Sequence, residues 1–566
     1  VWLFSLNQNR SFLPDSEWLN SPDSNTVLFS TLVLAGCSAS VQDTSASYIY
    51  LSDETTIQGN GLSINDGVVT IAKGGKYIVS GSSDNTTIDV NCEDEVELVL
   101  QDVSINAKSS AITISEAKHT AITLGGTSTL TVSDVEEDAA GIYAHDDLSL
   151  QGSGTLNITS SADGIHANDS FGCTEATINI EAEDDGIDVN DSVDLTQCTI
   201  TITTADGAVE TMQSGGMGPQ GDGGNMNGGF DPSQNMRPDG ATPPEGTAGM
   251  QNAAPPQSGQ SDGTMPPEKP EGNADMENFD PSQQTGEPPE GDPSMKEEGK
   301  PGAMMEESTE EEESAKSKGI KCDGDIHIVS GTITVNSADD AIHSNGNVTI
   351  EDGTISLQAS DDGIHAEDTL TINNGTIDIS MSYEGLEAKN IVINDGVISI
   401  VSSDDGINST DASYTGNDMQ SDSSLLTING GKITIDATGD GIDMNGDGEM
   451  NGGTLIIYGP ENGGNGAIDY AGTFNVNGGT LLASGASNMA QMPSSSSAIN
   501  AVMLSVSGDV SVLDSAGNTI VSFASNKSYD NLVIASEDLK TNETYTICVD
   551  GEETSTVTIA DTLTKA

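Results

Sequence analysis

The sequence predicts an all-β solenoid, a parallel β-helix of about 21–22 residues per coil, and three observations carry that prediction. A Gly or Ala closing an acidic turn recurs at Gly319, Ala341, Gly363, Gly385 and Gly406, at spacings of 22, 22, 22 and 21. A second glycine column, Gly331, Gly353, Gly375 and Gly396, follows the first by 12, 12, 12 and 11 residues, so each unit has two fixed corners. Between corners, runs such as Ile364-His365-Ala366, Leu370-Thr371-Ile372 and Thr376-Ile377-Asp378-Ile379-Ser380 alternate apolar and polar residues, the period of a strand with one buried face. Ile364, Ala366, Leu370, Ile372, Ile377 and Ile379 are the expected core. Units this short cannot bury a core alone and must stack. Leucine-rich and helical repeats are excluded, because the units are built from Ile, Thr and Val and lack helical segments. Corner Gly, Asn and Asp are expected where positive φ is needed.

Composition agrees. The chain has 566 residues, Asp+Glu 90 against Lys+Arg 17 and a formal charge of −73. A surface of that sign excludes nucleic acid and anionic lipid as partners and invites cations. The only arginines are Arg10 and Arg237, so an acidic polymer would need a metal bridge rather than an arginine fork.

In chain order, residues 1–36 read as a signal or over-extended N-terminus. Val27–Gly36 is a short apolar run ending in Leu34-Ala35-Gly36-Cys37, which resembles the lipobox of bacterial lipoproteins and makes Cys37 the expected lipidation site. The alternative is a buried cysteine ending a strand. Residues 37–60 read as a polar tether, and 61–211 as the N-terminal part of the β-helix, with irregular first coils and then corners at Gly141, Gly164, Gly186 and Gly207.

Residues 212–318 lack Val, Ile, Leu, Tyr, Trp and Cys, and 15 of the 19 prolines lie between Pro219 and Pro301, so this stretch is expected to be a disordered acidic insertion thrown from one coil. Residues 319–485 resume the β-helix, with an extra bulge around Asp411–Ser423. Residues 486–566 read as a small C-terminal β module with turns at Ser515-Ala516-Gly517-Asn518 and Asp550-Gly551. Cys92, Cys173, Cys198, Cys322 and Cys548 sit at different offsets from their corners and are expected to be buried thiols.

Stacking turns sequence columns into spatial ones. Asp340, Asp362, Glu384 and Asp405 form an acidic column, flanked by Asp339, Asp361 and Asp404, and like charges one strand spacing (~4.8 Å) apart repel unless protonated or bridged. Hard oxygen donors at that spacing suit calcium. Asp184, Asp185, Asp188 and Asn190 make a comparable cluster. Asp443-Met444-Asn445-Gly446-Asp447-Gly448 matches the opening of a calcium loop, with Asp440 nearby, although Thr454 stands where an EF-hand has its glutamate. The alternative at each corner is an Asx-type turn in which the aspartate bonds its own backbone. Two residues past each corner, Lys321, His343, His365, Glu387 and Asn408 are expected to face outward and, with Tyr383 and Lys389, to form a polar strip for sugar hydroxyls. The alternative is solvated side chains without a role.

The run Ser317–Cys322, Ser337–Gly346, Ser360–Asp368, Ser382–Asn390 and Ser403–Thr410 resembles the bacterial carbohydrate-binding domain family of surface lipoproteins. That resemblance implies a right-handed parallel β-helix similar in fold to pectate lyases, calcium binding, and affinity for plant-type polysaccharides without established catalysis. The expected protein is thus a monomeric, calcium-dependent polysaccharide binder, extracellular and lipid-anchored, touching the membrane only through its anchor. Two other readings stay open. A polysaccharide lyase would need Lys321 or Lys389 as base, and a structural adhesin would bind another surface protein.

Overall fold

In a computed structural model, residues 45–133, 139–205, 207–209, 317–415 and 420–566 are described. The expected leader, Cys37 and residues 212–316 of the expected insertion lie outside them. Among the described residues all regular structure is β, and the coils form a β-solenoid of about 13 turns. No helix there is long and apolar enough to cross a membrane.

Each regular coil contributes to three parallel sheets. Residues 364–366 and 369–372 are the two halves of one bent strand, Ile364–Ile372, and Thr376–Met381 is the third segment. In the first sheet Ile342, Ile364, Leu386, Ile407 and Ile442 pair in register. In the second, Val348, Leu370, Ile391 and Leu426 do so. In the third, Ile355, Ile377, Ile398, Ile433 and Leu455 do. All six expected core residues are at most 1% exposed. Burial of each such Ile or Leu contributes about 1.5–3 kcal/mol, and stacking makes that core continuous.

The two glycine columns have different causes. Gly331, Gly353, Gly375 and Gly396 have φ of 139°, 137°, 118° and 114°, where a side chain is strained. The first column does not need positive φ. A Cβ at Gly385 would lie 2.3 Å from Ile400 Cγ2 and 2.4 Å from the Gly406 carbonyl, so close approach of the next coil excludes bulk there. Beside the second column runs an asparagine ladder. Asn394 Nδ2 donates to Asn373 Oδ1 at 2.7 Å, Asn429 to Asn394 at 2.8 Å, and Asn451 to Asn429 and Asn477 to Asn451 at 3.0 Å each.

The coils on the two sides of residues 212–316 stack directly on each other. Ile187 pairs with Ile320 and Ile200 with Ile333, as neighbours one coil apart would.

Two boundaries differ from those expected. Ser47–Leu51 is not tether: it pairs in parallel with Tyr77–Gly81, and buries Ile49 and Leu51 over the first coil. Past 486, Asn531–Ser536 adds to the third sheet antiparallel to Thr480–Gly485, and Asn500–Leu504 pairs antiparallel with Asn531–Ser536 in turn, restoring the direction of the coils. Only Val510–Leu513, Thr519–Phe523, Thr544–Val549 and Glu552–Thr558 form a separate four-stranded antiparallel sheet. Its core, with Val512, Phe523 and Ile547, reaches Leu482 on the outer face of the third sheet.

The cysteines also differ. Cys173 and Cys198 form a disulfide between successive coils, with Cα atoms 6.3 Å apart. Unequal offsets from the corner hid the pair, because Cys173 lies within the second-sheet strand Phe171–Thr174 whereas Cys198 stands in the bend before the third. Cys92, Cys322 and Cys548 are buried thiols.

Gly385→Val is expected to cost about 1–3 kcal/mol by overpacking and to lower the thermal midpoint. Gly172→Ala, whose Cβ meets nothing nearer than Ser149 Cβ at 3.8 Å, should leave it nearly unchanged. Cross-links of this loop length contribute about 3 kcal/mol in the chain-entropy account. Reductant should therefore lower the midpoint of the native protein but not that of Cys173→Ala/Cys198→Ala.

Candidate functional site

Alternation in the first sheet aims every second residue away from the core. Register aligns those residues in one column: Asp89, Thr113, Tyr143, His166, Asp188, Lys321, His343, His365, Glu387, Asn408, Asp443 and Asp469. Every rung is half-buried. The sequence pattern makes Lys321 to Asn408 a strip separate from the acidic column. The structure joins the two, because in the coils of His343 and His365 the corner acid and the strip residue are three residues apart and touch.

Neither expected use of the corner aspartates, an Asx turn or a bare metal column, describes their first bond. At four of them one oxygen takes a backbone N–H from the next coil. Asp163 Oδ1 accepts from Asp185 N at 3.1 Å, Asp185 from Lys318 N at 2.7 Å, Asp340 from Asp362 N at 2.9 Å and Asp405 from Asp440 N at 2.6 Å. The second oxygen meets the strip. Asp340 Oδ2 lies 2.7 Å from His343 Nδ1 and 2.7 Å from Lys318 Nζ, and Asp362 Oδ2 lies 3.1 Å from His365 Nδ1. Glu387 Oε2 reaches the same His365 nitrogen at 3.5 Å. The rings of His343 and His365 stack with centroids 4.7 Å apart, so their faces cover each other and their edges point outward.

His343, His365, Tyr383, Glu387, Asp340, Asp361, Asp362 and Glu384, with Lys318 and Asp339, line one groove of about 320 Å³. Lys321 lies one rung away, with Nζ 3.1 Å from Asp188 and 3.4 Å from Asp185. Asn408 lies one rung beyond Glu387 and donates to Glu384 at 2.9 Å.

Several expected members fall elsewhere. Lys389 leaves the strip because the strand bends after Ala388, and its Nζ pairs with Asp411 at 3.0 Å. The cluster around Asp185 divides: Asp184 and Asp185 converge with Asp163, and Asp188 converges with Asp163 and His166. Asn190 is exposed past the strand end. The apparent calcium loop is a strand–turn–strand corner, Ile442–Met444 and then Asp447–Met450. There Asp447 Oδ1 accepts from Thr473 N and Oγ1 at 2.7 and 2.8 Å, and Asn445 turns toward Asn408. Asp443 instead converges with Asp405 and Asp440, and Asp404 lies outside that group.

The sequence reading missed Asp163, His166 and Tyr143. The signal was present, since Asp163-Gly164-Ile165-His166-Ala167-Asn168 repeats the pattern of Asp340-Ala341-Ile342-His343-Ser344-Asn345.

Electrostatics vary along the ladder, and burial raises Asp185 to about 7 despite Lys318 and Lys321, and raises Asp362 despite His365. At His166 and His365 burial disfavours the charged ring, but Asp163 with Asp188, and Asp362 with Glu387, outweigh it and raise each to about 10. Burial also opposes ionisation of Asp340, yet His343 and Lys318 hold it well below the usual carboxylate range. Farther along no imidazole or ammonium helps. Burial, reinforced by neighbouring carboxylates, raises Asp405 to about 8, Asp440 to about 7 and Asp443 to about 6. Among the described residues no ion pair reaches these three.

The profile of the carbohydrate-binding domain-containing protein family matches residues 65–217, 272–363 and 359–529, more than half of the chain. The chain belongs to this family. Another carbohydrate-binding domain-containing protein, from Acetivibrio thermocellus, is 31% identical over 157 residues, which cover 24% of this chain and 55% of that protein. The chain thus spans about half the length of this curated relative. A solved structure described as a polysaccharide lyase-like protein from C. thermocellum, in a gadolinium derivative, aligns over 71% of this chain and 95% of its own. Its identity is 17% and the TM-score 0.27. In the numbering of this family member, the matched residues include every rung from Asp89 to Asp469.

The raised acids set a pH dependence. Asp405, Asp440 and Asp443 take up protons on folding, because their unfolded values lie near ~3.9, so they favour the fold at low pH and that contribution is lost as pH rises through their folded values. His166 and His365 contribute fully below their unfolded ~6.5 and lose it as pH rises through about 10, the same direction. In chelator the thermal midpoint should therefore fall as pH is raised from about 5 to about 8. Scanning calorimetry across that range checks it, and Asp405→Asn with Asp440→Asn should flatten the slope.

Proposed function

We propose that the polar ladder is a calcium-dependent polysaccharide-binding face of a lipid-anchored protein on the bacterial cell surface. Membership of the carbohydrate-binding domain-containing family supports the ligand class. The observation that carries the reading is the unbroken column of half-buried hydrogen-bonding side chains, one per rung at ~4.8 Å. His166, His343, His365 and Asn408 are fixed by carboxylates behind them. Side chains held this way lose little rotamer freedom when a hydroxyl-rich chain docks.

Calcium fits at Asp405, Asp440 and Asp443. Their carboxylate oxygens come within 4.8 Å of one another, and burial without a counter-charge leaves them protonated or in need of a cation. A divalent ion there would supply the positive charge an acidic glycan needs beside so acidic a protein. Asp339, Asp340 and Asp361 suit it less, because the Lys318 ammonium already bonds Asp339 and Asp340. Anchoring through Cys37 rests on Leu34-Ala35-Gly36-Cys37, and the Cys173–Cys198 disulfide favours an oxidising, extracytoplasmic setting.

Lyase chemistry is the weaker reading. A lysine base must be neutral to take a proton, and burial would favour that at Lys321, but Asp185 and Asp188 hold its pKa above the usual lysine value. Lys389 is likewise held protonated by its bond to Asp411.

Affinity electrophoresis in gels containing polygalacturonate or a soluble β-glucan, with calcium and with chelator, tests the reading. His365→Ala is expected to weaken retention about 10-fold or more, as for the loss of a charged hydrogen-bonding group. Chelator should abolish retention by polygalacturonate. Retention indifferent to both changes, or release of unsaturated product that ceases in Lys321→Ala, would replace the binding function with another.

A further inference from the structure

The ladder repeats its own central feature. His343 takes Asp340 at Nδ1 and Asn345 Oδ1 at Nε2, the latter at 3.0 Å. His166 has the same two partners at the same offsets, Asp163 at 3.2 Å and Asn168 Oδ1 at 2.9 Å. Each imidazole also stacks on the ring of an adjacent rung: His343 on His365, and His166 on Tyr143, with centroids 4.7 Å apart in both cases and interplanar angles of 13° and 9°. Both stacks are backed by an acid from the next coil, Glu387 behind His365 and Asp188 behind His166. Between them lie only the rungs of Asp188 and Lys321, which pair at 3.1 Å.

We infer that the face carries two equivalent glycan subsites, Tyr143 with His166 and His343 with His365, and that one long polysaccharide chain lying along the solenoid axis engages both. The inference rests on the reading of the ladder as a polysaccharide face. From His166 to His343 is three rungs, through Asp188 and Lys321, or roughly 14 Å at ~4.8 Å per rung. A rigid chain that spans this gap makes its second contact intramolecularly, so affinity rises steeply once length suffices. Across the gap Lys321 is held between Asp185 and Asp188, so its ammonium is fixed in place beneath a chain passing over it.

Isothermal titration of the full chain in calcium, with β-1,4-glucan and galacturonate oligomers of graded length, tests this. Oligomers too short to span both stacks should bind with a stoichiometry of two, and long ones with a stoichiometry of one and much higher affinity. Tyr143→Ala should reduce the short-oligomer stoichiometry to one and lower long-oligomer affinity by about 10-fold or more, and His365→Ala should do the same from the other end. Tyr143→Phe should keep both wild-type values, and an unchanged thermal midpoint in Tyr143→Ala separates lost contact from lost folding. A stoichiometry of one for short oligomers that Tyr143→Ala does not alter overturns the second subsite while leaving the polysaccharide reading intact. Absence of binding at any length overturns both.

Discussion

Strict registry between coils is the constraint on which everything else depends. Because each coil exchanges backbone hydrogen bonds with the next, a residue's place in its coil fixes its neighbours above and below. A one-residue slip would turn core isoleucines outward and scatter the ladder. The protein secures registry in several independent ways: Ile stacks inside, asparagine amides along one corner, and corner aspartates that take the next coil's N–H. The last is the most consequential for function. The carboxylate that clamps Asp340 to the following coil also orients His343, so stability and site geometry are set by one side chain.

Charge then gives the face its character. A column of like acids stacked at strand spacing is unfavourable unless something intervenes. The ladder shows three solutions in sequence. Imidazoles serve at His166, His343 and His365, ammonium groups serve at Lys318 and Lys321, and neither serves at Asp405, Asp440 and Asp443. The lysine coil sits between the two imidazole stacks and answers four aspartates, Asp185 and Asp188 on one side, Asp339 and Asp340 on the other.

Much of the fold was legible because a solenoid writes its geometry into a period. Two glycine columns located the corners, and alternation identified Ile364, Leu370 and Ile377 as core. What the period does not encode is chemistry across coils at unequal offsets. Cys173 and Cys198 occupy different places in their coils yet meet at a bend. The site was half legible. Period brought His343, His365 and Glu387 into line, but the three-residue step from Asp340 to His343, which decides what each acid does, is a side-chain contact rather than a spacing. Local motif matching misled at Asp447, whose carboxylate turns to cap Thr473. Tyr143 escaped notice because its neighbour Thr113 shares no chemistry with it, and only the pairing with His166 reveals the column.

The return of the chain at Lys318 has a consequence for protein engineering. The backbone of Lys318 is gripped by Asp185 and its ammonium by Asp339 and Asp340, so the strand beginning at Ile320 is positioned by contacts on both sides rather than by what precedes it. Loop-closure entropy changes by only about 0.6 kcal/mol for each doubling of length. The junction between Thr204 and Ser317 is therefore a natural port, where a reporter or a second binding module could be grafted, or the existing segment trimmed, while the rungs on either side keep their alignment.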